Sequence, residues 1–143
     1  MEGGCKLGAE WVLQLTPMIF TRIKAGMSEK TKNKYNMSNK NFSTVEINKT
    51  SPVFPFVYVK TLASMEKGRD LEAVSINGGL FSYQIEVTDN KSQETAREVM
   101  SEVIKVMKKM SFEVNAIPEF ESTKDSYRCV ARFRRTIDEN DVL

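Results

Sequence analysis

At 143 residues, with 41% hydrophobic and 28% charged side chains, the chain is sized for a single domain, 1–143, and is too ordinary in composition for wholesale disorder. A formal net charge of +2 is too small for a dedicated nucleic-acid binder. Two separated cysteines, Cys5 and Cys129, and no histidine exclude a disulfide framework and the usual four-ligand zinc site, and they fit a reducing cytosol.

The first predicted element starts where Thr16 can cap a helix and Pro17 can occupy its first turn without losing a hydrogen bond. Phe20, Ile23 and Met27 then share a face, so the spacing predicts an amphipathic helix over 17–28, with an earlier turn around 9–15 as an option. The apolar run 11–20 is too short for a bilayer, is broken by Gln14, Thr16 and Pro17, and lacks the pattern of a secretion signal. The polar stretch 28–41 reads as a surface loop, part of a flexible basic loop around 28–52.

Next, residues 42–47 suit a short edge strand, and 53–59 is the most β-prone run of the chain. Pro55 lacks an N–H, which predicts a sheet edge or a bulge near the start of that strand. Residues 61–70 read as a loop. Strands over 71–76 and 80–88 are then joined by Asn77-Gly78-Gly79, whose turn chemistry predicts a hairpin. In the second of these strands Phe81, Tyr83, Ile85 and Val87 alternate with Ser82, Gln84, Glu86 and Thr88, so one face of the sheet is covered.

The cover is a helix over 92–110, with a stripe of Ala96, Val99, Met100, Val103, Val106, Met107 and Met110. Its early Glu94 and Glu98 and late Lys108 and Lys109 complement the helix dipole. Strands over 112–117 and 126–137 follow, ahead of a short polar C-terminal tail. In the last strand Tyr127, Cys129, Ala131, Phe133 and Ile137 share the apolar face, while Arg128, Arg132 and Arg134 share the other. These elements predict an α+β domain, a mainly antiparallel sheet of four to five strands with helices on one face.

Candidate chemistry is sparse. No histidine is available as a neutral-pH base, and Glu113, Glu119, Glu121 and Asp125 fall in strand edges and loops without a partner placed across a pocket. No phosphate-loop or dinucleotide fingerprint surrounds Gly78-Gly79, and no cofactor is implied. The functional candidates are Arg128, Arg132 and Arg134, with Arg135 beside them. Two readings stay open: the stripe faces a subunit neighbour or a DNA-carrying lumen, or it pairs locally with Glu86 and nearby acids. Charge is also split along the chain. Residues 1–60 hold nine Lys/Arg against four Asp/Glu, about +5, and the remainder carries about −3, a division that suits head-to-tail packing against copies of the chain or against another protein, with ordinary solvated charge as the alternative.

The order Phe54-Pro55-Phe56-Val57-Tyr58-Val59, then 82–89, then the helix, then Phe112-Glu113-Val114 and 127–134 resembles the tail terminator (tail-completion, tail-to-head joining) proteins of siphophages. The resemblance covers 16–137 and is most specific over 83–135. It implies a non-enzymatic α+β subunit forming a homohexameric ring at the head-proximal end of the virion tail, after assembly in the host bacterial cytoplasm. The implied partners are further copies of the chain, the major tail tube protein and the head-tail connector proteins; there is no membrane role, and DNA passes only as cargo through the lumen. The alternatives are a head-completion or stopper protein of the connector, a small cytosolic ligand-binding domain or enzyme, and a single-strand nucleic-acid binder. The last needs aromatic residues on an exposed sheet face, whereas Tyr83, Tyr127 and Phe133 fall on the face assigned to the core.

Overall fold

The computed structural model describes residues 10–45, 52–62, 65–67, 78–122, 126–138, 141 and 143. Helix α1 spans Glu10–Gly26, α2 spans Glu29–Lys34 and a 3-10 turn spans Asn39–Asn41. Strands β1 (Phe42–Ser43), β2 (Phe56–Thr61), β3 (Met65–Lys67) and β4 (Gly78–Asp89) follow, then α3 (Gln93–Lys109), β5 (Glu113–Ser122) and β6 (Tyr127–Asp138). The sheet runs β1-β2-β4-β6-β5, and β3 also pairs with β4. Among the described strands only β1 and β2 pair in parallel; the other pairs are antiparallel. The fold is thus the expected α+β class.

One face of this sheet carries the core. Val57 and Val59 of β2, Phe81, Tyr83, Ile85 and Val87 of β4, and Cys129, Ala131 and Phe133 of β6 are buried on it. The seven-residue stripe of α3 is buried against them. Ser92 caps α3 by accepting from the Thr95 amide at 3.1 Å. Burial pushes the Cys129 thiol up to about 11, so this cysteine is a packing residue. Cys5 lies outside the described residues.

Helix α1 begins well before the expected start at Pro17. Leu15, Ile19, Ile23 and Met27 form a buried i, i+4 stripe, and Trp11 packs edge-on against Phe81 at 5.7 Å, so core contact extends the helix back to Glu10. Pro17 sits inside it, with its ring in solvent, where the hydrogen bond it cannot donate costs least. Thr16 is accordingly no cap: its hydroxyl lies 3.2 Å from the Tyr83 hydroxyl and 3.3 Å from that of Thr61.

The stretch 28–41, read as a loop, contains α2 and the 3-10 turn, held by side chains that satisfy the local backbone. Ser28 accepts from the Thr31 amide, and its own amide donates to Glu102 of α3 at 2.9 Å. Ser38 and Asn41 form a reciprocal capping box. The buried Asn41 also donates to the Pro55 carbonyl at 2.7 Å, tying the turn to the start of β2. Pro55 itself precedes β2, after a cis Phe54–Pro55 bond. The ladder therefore needs no N–H from it, and β2 is internal, between β1 and β4, in place of the expected edge or bulge.

The expected hairpin is also corrected. Gly78 and Gly79 lie inside β4, buried and paired to Asp138 and Ile137 on one side and to Lys67 and Glu66 on the other. The arm opposite β4 is β3, within the stretch 61–70 read as a loop, whose first residue, Thr61, closes β2. The proposed strand 71–76 lies outside the described residues. Strand β5 is longer than expected and runs through Pro118, which an outermost strand tolerates, with register shifts on either side of Ala116.

Candidate functional site: the arginine-bearing face of the sheet

The face opposite the helices is built by the even-numbered residues of β2, β4 and β6. Antiparallel register sets them in rows: Lys60, Gln84 and Arg132; Tyr58, Glu86 and Val130; Phe56, Thr88 and Arg128; Ser82, Arg134 and, from β5, Glu113. Among the described residues no helix packs on this side; α1 and α3 both lie on the other.

Three of the four singled-out arginines meet here and the fourth does not. Arg132 Nε donates to Gln84 Oε1 at 2.9 Å, Gln84 Nε2 donates to Glu86 Oε2 at 2.7 Å, and Arg128 reaches Glu86 Oε1 at 3.0 Å. The result is a cross-strand relay in which a buried glutamine bridges an arginine and a carboxylate. Arg134 meets Glu113 at 3.6 Å, with both side chains largely exposed (46% and 73%), so water screens that pair.

Arg135 alternates onto the helix-covered side. It donates to the Met110 carbonyl at the end of α3 at 2.9 Å and lies 3.7 Å from Asp141, clamping the chain that follows β6. It is half-buried and removed from the stripe, because adjacent residues of a strand point to opposite faces. For Arg128 and Arg132 the geometry is that of local pairing. The cations best placed to meet another molecule on this face are Arg134 and the exposed Lys60.

Sequence reasoning named Glu86 as a local partner and weighed Glu113 only as an acid without a partner across a pocket; it singled out neither Gln84 nor Lys60. Nothing in Gln84 alone marks it; only its register opposite Arg132 does. A second polar cluster, also unforeseen, joins α2 to α3: the Tyr35 hydroxyl donates to Glu98, and Lys34 Nζ lies 3.1 Å from the same carboxylate. The Tyr35 and Lys34 hydrogen bonds hold the Glu98 carboxyl below its ordinary range.

Among the described residues no group of three or more His, Cys, Asp or Glu side chains could hold a metal ion. No described helix is long and apolar enough to cross a membrane. An open cleft of about 440 Å³ on the outer side of α1, lined by Gln14, Pro17, Met18, Thr21 and Arg22, has one charged group and no carboxylate. No protein-family model matches the sequence, and no curated protein matches it either.

Proposed function

We propose that the protein is a non-enzymatic subunit of a ring that caps the tail tube of a long-tailed bacteriophage, ends tube growth and presents a surface to the head connector. One observation carries this reading: the segments that resemble siphophage tail terminators fall together, as β2, β4, β6, the start of β5 and the helix α3 that covers them. The split charge adds to it, since a protomer basic in its first part and acidic in the remainder packs head to tail, and a repeated heterologous contact closes into a ring when its rotation permits.

In this mechanism capping needs no chemical step. Several weak contacts made together by the ring to the last tube ring bind a finished end tightly, while single subunits bind poorly. The ring is a homohexamer, the partners are the major tail tube protein and the connector, and DNA crosses the lumen as cargo.

Genetic removal tests the reading. A phage lacking the protein is expected to accumulate full heads beside unjoined tails, some overlong, and purified protein added to that lysate should restore joining. Tails of normal length with heads lacking only a connector component would favour the stopper function. Loss of DNA synthesis or nucleotide metabolism would overturn the structural role.

A further inference from the structure

We infer that copies of the chain join edge to edge, with β5 of one copy pairing antiparallel to β1 of the next so that the sheet continues across the subunit boundary. The inference rests on the head-to-tail self-association proposed above and names the surfaces that make it.

Strand direction is the first argument. Beginning at β1, β2 runs parallel to it, β4 runs opposite, β6 returns and β5 is again opposite. The two outermost strands are therefore antiparallel to each other. When a rotation about an axis along the strands places the next copy beside β5, its β1 arrives antiparallel, in the register type that most of this sheet already uses.

Charge is the second argument. Residues 113–122 hold Glu113, Glu119 and Glu121 and no base. At the opposite edge the exposed Lys40 immediately precedes Asn41 and β1, and the exposed Lys60 lies on β2 beyond the two positions that β1 pairs. Residues 39–45 and 56–61 contain no acid; Glu46 follows the first of these stretches, ahead of the next base, Lys49. A β5-to-β1 junction opposes unlike charges, whereas a two-fold β5-to-β5 junction opposes like ones, which destabilises cross-strand pairs.

Apolar exposure is the third. Val45, two residues after β1, is 67% exposed, a large side chain left in water at the proposed junction. The register shifts flanking Ala116, together with Pro118, interrupt the middle of β5 and guard it against indiscriminate pairing. They confine the contact to Glu119–Ser122, where β5 pairs with β6 without a break.

Two charge-reversed proteins test the contact. One carries Glu119→Lys with Glu121→Lys and has two basic edges; the other carries Lys40→Glu with Lys60→Glu and has two acidic edges. Each is checked for folding by circular dichroism, and assembly is followed by sedimentation at low ionic strength. Each alone is expected to need at least about tenfold more protein to assemble than the wild type. An equimolar mixture is expected to assemble near the wild-type concentration, because alternating copies oppose unlike charges at every junction and an even-numbered ring closes. Assembly of the wild type should also weaken with added salt. Should a variant not fold, that salt dependence decides, and a salt-independent wild-type ring overturns the inference. It is equally overturned if the acidic-edge protein alone assembles like the wild type, as a β5-to-β5 contact requires, or if the mixture fails to assemble. A wild type that stays monomeric at every concentration would instead defeat the ring itself.

Discussion

Gly26, the last residue of α1, lies against Val106 of α3 so closely that a Cβ built on it falls 2.7 Å from Val106 Cγ2 and 3.2 Å from Cγ1. Valine is stiff at χ1 in a helix, so it cannot swing aside as a longer side chain would. The glycine therefore sets how near the two helices come, and Gly26→Ala should separate them. We expect a loss of about 1–3 kcal/mol, the usual range for overpacking, measured by urea denaturation. A Gly26→Ala protein as stable as the wild type would mean that the helix ends have room to part.

Ser111 offers the opposite experiment. It follows α3 with φ 65°, and the amides of Ser111 and Phe112 donate to the carbonyls of Lys108 and Met107, the paired bonds of a Schellman motif. A residue with a Cβ is strained in this left-handed conformation and glycine is not. Ser111 is exposed, so Ser111→Gly removes strain without emptying the core. It should raise stability by about 0.5–1 kcal/mol, seen as a higher Tm. A lower Tm would show that the entropy glycine adds to the unfolded chain outweighs the strain.

Acid should loosen α2 from α3. The Tyr35 hydroxyl first, and Lys34 second, hold the Glu98 carboxyl below its ordinary range. Its folded pKa is thus depressed, and the stability it contributes is complete above the unfolded pKa and is lost as pH falls through the folded one. Tyr35→Phe removes the largest cause, so Glu98 should titrate at higher pH and the acid loss should begin sooner. NMR titration of the Glu98 side-chain carboxyl reads this directly; an unchanged midpoint in Tyr35→Phe would assign the shift to another group.

Phe133 and Ile85 are both fully buried, opposite Tyr83 and Ala131 in the pairing of β4 with β6. Truncation of either to alanine should cost on the order of 3 kcal/mol through lost burial and a cavity. Wild-type stability in Phe133→Ala would contradict its place in the core.

These two positions were legible in the sequence because a half-covered strand alternates, and the stripe of α3 was legible for the corresponding reason at helical period. Local pattern failed where distant contacts decide. Trp11 and Leu15 draw α1 back past Pro17, overriding a cap-and-proline signal that is correct chemistry for a helix start. Gly78 and Gly79 carry turn chemistry yet sit in β4, because the opposing arm is β3. On the face opposite the helices the arginine stripe could be read from alternation alone. The bridge from Arg132 through Gln84 to Glu86 required the register between two strands about 48 residues apart, which no single segment encodes.

Strand β6, the last of the described strands in sequence, lies between β4 and β5. During synthesis, then, β4 and β5 leave the ribosome as strands that do not pair with each other, and each gains its shared neighbour only when 127–138 emerges. Most of the sheet's hydrogen bonding thereby waits for β6, and its closure depends on contacts of long sequence separation, the kind that slow folding. A chain arrested before residue 127 would hold α3 without the strand that supplies Cys129, Ala131 and Phe133 to the core beneath it, so burial of the apolar stripe is completed only when β6 docks.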